Sequence, residues 1–266
     1  KKPLLYAEVA GRLIFASEFQ ALLSDESIPR VLDPAALEYY LTYMAIPAPL
    51  SIYRAIRKLP PAHLLIHDRS GTCLQRYWSL AYAPKFAISE AEAAERLLEL
   101  LTEAVRKRLI ADVPLGAFLS GGVDSSAVVA LMARCSERPV KTFSIGFEEA
   151  RYNELPHARR VAQAFGCDHQ EFVVRPNAVE VLPTLIEHFG EPFADSSAIP
   201  TYYLSRLTRE HVTVALNGDG GDEAFAGYAR HAANRLAERW QAMPAPLRSA
   251  ADWLAGRLPA TPADRQ

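Results

Sequence analysis

Phe118-Leu-Ser-Gly-Gly-Val-Asp-Ser-Ser126 is the stretch on which the fold of this chain turns. The apolar run Val113-Pro-Leu-Gly-Ala-Phe-Leu119 leads into it, and the helical run Ala127-Val-Val-Ala-Leu-Met-Ala133 follows. The order is strand, small-residue loop, helix. Ser120, Gly121, Gly122, Ser125 and Ser126 are small enough for backbone N–H groups to close around an anion. A helix starting near Asp124 points its positive dipole end at the same place. The loop reads as a cradle for nucleotide phosphates, although the Gly-x-x-x-x-Gly-Lys-Ser/Thr pattern of the common phosphate loop is absent. Asp124 marks the difference: a carboxylate beside phosphates is repulsive unless a cation bridges them, so it implies Mg2+. The plainer alternative is a Gly/Ser turn with Asp124 as the N-cap of an ordinary helix.

Downstream of Ala81, strand and helix patterns alternate. Strands are expected near 113–119, 140–146, 170–174 and 211–216, and helices near 124–135, 153–165, 178–189, 200–209 and 222–238. This predicts an α/β fold, a parallel sheet with helices on both faces. In such sheets ligands bind beyond the carboxyl ends of the strands, where the 120–126 loop lies. The end of Phe143-Ser-Ile-Gly-Phe147 is expected beside it. Ser89-Glu-Ala-Glu92 is a capping box opening a long helix, with Leu97, Leu98, Leu101, Val105 and Leu109 at helical spacing as a core stripe. Residues 1–80 read differently. Short strands flank Ala10-Gly11, Glu18 to Leu23 is helical, and Asp33-Pro34 caps a helix running to about Tyr43. A hairpin joins His63–His67 to Thr72–Arg76.

A second segment, Val214-Ala-Leu-Asn-Gly-Asp-Gly-Gly-Asp-Glu-Ala-Phe-Ala-Gly-Tyr228, carries three carboxylates beyond another predicted strand. Together the two segments resemble the signatures of the glutamine-dependent asparagine synthetases. In that family a loop like Ser120–Ser126 belongs to an N-type ATP pyrophosphatase domain (adenine nucleotide alpha hydrolase-like, PP-loop). Lys2-Pro-Leu-Leu-Tyr6, Phe15-Ala-Ser-Glu18, Ile56-Arg-Lys-Leu-Pro-Pro61 and Arg76-Tyr-Trp78 resemble the end of a class II amidotransferase glutaminase domain, of αββα N-terminal-nucleophile type. The resemblance implies two domains: 1–80, the C-terminal part of a glutaminase, and 81–266, an ATP-dependent synthetase domain truncated at its C-terminus. The chain opens without an initiator Met and is read as a piece of a longer protein. Its nucleophilic cysteine is expected upstream of Lys1, not at Cys73.

The resemblance also implies roles. Asp124 and Asp222 are the expected Mg2+ ligands. Ser120, Gly121, Gly122, Ser125 and Ser126 are expected on the pyrophosphate of ATP, and Leu119, Ile145, Asn217 and Gly218 on adenosine. Asp219 matches the Glu/Asp that takes a proton from attacking ammonia; Asp is one methylene shorter than the Glu of several members, and the alternative reading is an Asp-Gly turn. Asp222 has an N-cap alternative. Arg151-Tyr-Asn-Glu154 is expected near the substrate, and Glu191-Pro-Phe-Ala-Asp-Ser-Ser197 at the aspartate pocket, though Pro192 and the serines also suit a loop. The implied activity is conversion of aspartate to asparagine through β-aspartyl-AMP, with glutamine-derived or free ammonia as the nitrogen source. Related amidotransferases and β-lactam synthetases acting on other acids, or a non-catalytic nucleotide-binding paralogue, share these motifs.

Composition narrows the field. Among 266 residues, half are hydrophobic and the net charge is −2, which gives no electrostatic case for nucleic acid or a membrane surface. Cys73, Cys135 and Cys167 lack Cys-x-x-Cys spacing and fit a reducing cytoplasm without zinc or a disulfide framework. No run reaches transmembrane length. A homodimer is compatible with the chain, which specifies no oligomeric state.

Overall fold

The computed structural model describes residues 3–148, 153–175, 177–246 and 248–249. Strands β1 (Leu5–Val9) and β2 (Arg12–Ala16) form the expected hairpin. Ala10 and Gly11 both take positive φ, the tight reversal that matches strand twist. Helix α1 (Phe19–Leu23) follows. Helix α2 (Pro34–Tyr43) starts as the sequence predicts, with Asp33 accepting from the Ala35 amide at 3.0 Å. Strand β3 (Arg57–Lys58), too short to leave a periodic signal, pairs with β1. Strands β4 (His63–Asp68) and β5 (Gly71–Arg76) make a separate hairpin. Leu5, Ala7, Phe19, Leu22, Ile28 and Ile56 bury one core here, and Ala36, Ile46 and Ile52 a second.

Helix α3 (Glu90–Arg108) opens on the Ser89–Glu92 capping box with both reciprocal bonds formed. The alternating elements follow: β6 (Leu115–Phe118), α4 (Val123–Cys135), β7 (Lys141–Phe147), α5 (Leu155–Ala164), β8 (Asp168–Val174), α6 (Ala178–Phe189), α7 (Ala198–Thr208), β9 (Val214–Leu216), α8 (Gly221–Phe225) and α9 (Ala229–Ala242). The four strands pair in parallel in the order β8-β7-β6-β9. Strand order reverses between β6 and β9. At such a switch point the loops leaving two neighbouring strands part to opposite faces and leave a crevice. The two signature segments are those two loops.

Side chains alternate across β7 and sort the faces. Thr142, Ser144 and Gly146 face α4 and α5; a Cβ on Gly146 would run into Leu155. The main core lies on this side, with Val105, Ala117, Leu119, Val129, Leu131, Met132, Ala158 and Ala162 buried together. Phe143 and Ile145 face α7, and Phe143 stacks with Phe172 and His211 at 6.2 and 5.7 Å. Two expectations need correction. The α3 stripe is core only from Leu101 onward: Leu97 and Leu98 are 37% and 45% exposed and lie outside the buried cluster that Leu101, Val105 and Leu109 join. The helix expected at 222–238 is two helices, since Ala226 turns left-handed and Gly227 packs against Asp222.

His169 on β8 gives the fold a pH signature. Its Nδ1 meets Thr142 Oγ1 at 2.9 Å; its Nε2 is buried without a hydrogen-bond partner, 3.5 Å from Glu171 Oε1. Burial pushes this imidazole below its ordinary value, outweighing the pull of Glu171 toward the charged form. The unfolded chain therefore binds a proton that the folded chain resists, so stability falls as pH drops through about 6.5 and below. Glu171, held low chiefly by its bond to Arg159, contributes only nearer the ordinary carboxylate range. Tm is expected to decline from pH 7 to pH 5 and to decline less in His169→Gln; the same slope in both proteins contradicts this.

Candidate active site

The crevice beyond β6 and β9 is a cavity of about 730 Å³. Leu119, Ser120, Gly122, Asp124, Ser125, Ile145, Asn217, Gly218, Asp219 and Asp222 all line it, so the structure brings together nearly every residue singled out from the sequence. Gly121 and Ser126 are not among the lining residues. The Ser126 hydroxyl is buried and unpartnered.

Neither Asp124 nor Asp222, the two expected metal ligands, is used as a cap. The N-caps of α4 and α8 are Gly122 and Gly220, without side-chain cap bonds, and Asp124 and Asp222 fall inside the first turns. That removes the plainer reading of both residues. The serines hold the loop in shape: Ser120 and Ser125 hydroxyls lie 2.9 Å apart, the Ser120 amide donates to Ser125 Oγ at 3.3 Å, and the Gly122 amide to Ser120 Oγ at 3.2 Å. Gly121 has φ +84°, and a Cβ there would lie 2.5 Å from the Ala158 amide nitrogen in α5. Only glycine satisfies both conditions.

The second loop lies directly on the first turn of α4. A Cβ on Gly218 would stand 2.7 Å from the Ser125 amide nitrogen and 2.9 Å from the Asp124 carbonyl carbon, and one on Gly221 would overlap the Asp124 carboxylate. Gly227 presses in the same way on Asp222, and its amide donates to the Asp222 carbonyl at 3.0 Å. Tyr228 donates to Glu223 at 2.6 Å, with the Arg230 guanidinium 4.7 Å from its ring centre. This bond holds the Glu223 carboxyl below its usual range and pushes the Tyr228 hydroxyl up. Asp219 accepts from Asn217 Nδ2 at 2.6 Å, and its amide donates back to Asn217 Oδ1 at 3.3 Å. The predicted turn exists, and it aims one carboxylate oxygen at Asn217.

Four carboxylates, Asp124, Glu154, Asp219 and Asp222, line the cavity, and no Lys or Arg does so among the described residues. Like charges 4 Å apart repel by about 4 kcal/mol at an effective dielectric of 20. Such a lining attracts cations and resists bare anions. The donor set suits Mg2+, which takes one or two carboxylates together with substrate phosphates and water. No group of three or more His, Cys, Asp or Glu side chains among the described residues could form an all-protein cage.

Several lining residues were not legible beforehand. Thr201 and Leu204 come from one face of α7, a spacing indistinguishable in sequence from core. Phe225, 53% exposed, lies inside the second signature. Of the Arg151–Glu154 stretch, Arg151 and Tyr152 lie outside the described residues, Asn153 accepts from the Leu155 amide at 3.1 Å, and Glu154 reaches the cavity. The described lining includes nothing from 191–197; Glu191 instead pairs with Lys58.

Fold and cavity define a class: an α/β protein with an acid-lined, phosphate-loop-type crevice at the switch point of a parallel sheet. The chain belongs to the asparagine synthase family, which it matches over residues 96–265, with a glutamine amidotransferase domain matched over residues 1–78. It is 38% identical over 237 residues to a putative glutamine-hydrolyzing asparagine synthetase of Methanocaldococcus jannaschii, covering 86% of this chain and 45% of that protein. It is 32% identical over 229 residues to a glutamine-hydrolyzing asparagine synthetase of Bacillus subtilis, covering 85% and 36%. An amidase of Penicillium rubens is 28% identical over 268 residues, covering 92% and 39%. The chain thus spans less than half the length of these relatives.

The glycine contacts predict a contrast. Gly218→Ala forces a methyl group into backbone, a clash worth about 1–3 kcal/mol, and should weaken Mg-ATP binding about tenfold. Glu137→Ala, an exposed change away from the cavity, should bind near the wild-type level. Calorimetric titration of both variants, with circular dichroism to confirm folding, checks this; equal affinities contradict it.

Proposed function

We propose that this chain is part of a glutamine-hydrolysing asparagine synthetase acting in the cytoplasm. On this reading residues 1–80 are the C-terminal part of the glutaminase domain and residues 81–266 belong to the synthetase domain. The observation that carries it is the meeting of Asp124, Asp219 and Asp222, from loops after two adjacent strands, in one cavity beside Ser120 and Ser125.

Leu119, Ile145, Asn217 and Gly218 seat adenosine, and the loop amides with Ser120 and Ser125 take the pyrophosphate, Ser126 supporting the loop from within α4. Mg2+, held by Asp124 and Asp222, would supply neutralisation of charge on the departing pyrophosphate. The side-chain carboxylate of aspartate attacks the α-phosphorus; the α–β bridging bond breaks, giving β-aspartyl-AMP and pyrophosphate. Ammonia then attacks the acyl carbon, Asp219 accepts a proton from the nitrogen, and AMP leaves as asparagine forms. Asn217 orients Asp219 through one oxygen and leaves the other to receive that proton. The walls from β7 and α7 limit water around the adenylate.

A second reading keeps this chemistry on another carboxylic acid. The likeness to the Penicillium amidase over 92% of the chain favours it.

The test is AMP and pyrophosphate release by the full-length parent protein with Mg-ATP and ammonia, with and without L-aspartate. Release is expected to require aspartate and to fall about a hundredfold or more in Asp124→Asn. Asp219→Asn should retain aspartate-dependent ATP–pyrophosphate exchange while amide formation falls about a hundredfold. Release driven by a different acid moves the assignment to the second reading, and no release with any acid overturns both.

A further inference from the structure

The Glu191 carboxylate meets the N-terminal region at two positions directly and at a third through Lys58. It forms an ion pair with Lys58 on β3, the two side chains being 13% and 20% exposed. Its other oxygen accepts from the Ile52 amide at 3.3 Å. Lys58 Nζ also donates to the Ile46 carbonyl at 2.6 Å. Ile46 and Ile52 are themselves buried with Ala36, so the carboxylate is anchored to a packed core rather than to a loose loop.

The contacts around it act on the same segment. Gln20 Nε2 donates to the Glu187 carbonyl at 3.0 Å. Gly190, at φ +66°, lets the end of α6 close on Phe19, where a Cβ would overlap the Phe19 Cβ and crowd the start of its ring. The Ala194 amide donates to the Met44 carbonyl at 3.2 Å. Asp195 then turns the chain by accepting from the Ser197 amide at 2.8 Å, and α7 begins at Ala198. One turn later Thr201 and Leu204 form a wall of the nucleotide cavity. The segment is thus fastened to the N-terminal region at Glu187, Gly190, Glu191 and Ala194, and runs on through Asp195–Ser197 into the helix that walls the site.

We propose that the Lys58–Glu191 pair is a positioning element that sets the register between the N-terminal region and the α7 wall, and that glutamine-supported synthesis depends on it while ammonia-supported synthesis does not. This rests on the function proposed above. Nitrogen released by glutamine hydrolysis must pass from one unit to the other, so their register matters to it; ammonia from solution needs no such alignment. Removing one partner leaves an unpaired charge in a largely dry site, which the segment relieves by moving away.

The test uses the full-length parent protein with Lys58→Met, Glu191→Gln and the charge-preserving Lys58→Arg. Glutamate and AMP are measured with glutamine as donor, and AMP with ammonia. In Lys58→Met and Glu191→Gln the glutamate-to-AMP ratio should rise about two- to thirtyfold, the range of coupling between linked sites. Ammonia-supported AMP formation should stay near wild type, and Lys58→Arg should restore the ratio. An unchanged ratio overturns the proposal. So does a parallel fall with both nitrogen sources, the mark of a merely structural role. If the wild-type protein forms no AMP, the functional reading fails separately, and amide hydrogen exchange decides the pair. Faster exchange across 187–197 in Lys58→Met, reversed in Lys58→Arg, upholds it as the clamp; unchanged exchange overturns it.

Discussion

The site depends on how closely the loop after β9 can approach the first turn of α4. Gly218 and Gly221 lie against the backbone and carboxylate of Asp124 with no room for a side chain, and Gly227 lies equally close to Asp222. These approaches bring carboxylates from two crossovers into one crevice. They are available only because β6 and β9 are neighbours in the sheet although distant in sequence. Strand order, glycine placement and acid placement are one constraint seen at three scales.

That constraint has an electrostatic consequence. The fold gathers Asp124, Glu154, Asp219 and Asp222 where two helix N-termini and a serine-rich loop favour an anion. Dipoles and amides suit phosphate; four carboxylates oppose it. A metal-bound polyphosphate resolves the conflict, because the cation is attracted to what repels the phosphate. On the proposed function this arrangement would select a magnesium–nucleotide complex over free nucleotide, with Asp219, tied on one side to Asn217, as the later proton acceptor.

Much of this was legible in the sequence because it rests on local rules. The helix caps at Asp33 and Ser89, the Ala10-Gly11 turn and the strand-loop-helix setting of Ser120–Ser126 each follow from a few adjacent residues. What was not legible depends on contacts between distant segments. The break at Ala226–Gly227 arises from the packing of Gly227 on Asp222 and leaves no periodic trace. Thr201 and Leu204 carry a pattern common to any buried helix face. Glu191 reads as a pocket residue next to Pro192 and the serines, and its role as partner of Lys58, 133 positions earlier by residue number, emerges only in the fold. Leu97 and Leu98 have the same periodicity as Leu101 and Val105 but remain exposed, because periodicity marks a face and not what covers it.

The N-terminal region meets the segment that leads into α7, while the cavity itself is built from the sheet loops, β7 and α7. The central claim, however, concerns the two carboxylates of the sheet loops, and its most direct test needs no turnover. Pyrophosphate binding to the parent protein is measured by calorimetry with and without Mg2+, in the wild type and in Asp124→Asn and Asp222→Asn. Pyrophosphate should bind only together with Mg2+ in the wild type, and each substitution should abolish that dependence. Equal binding with and without Mg2+ in the wild type, or an unaltered dependence in both variants, would contradict the account.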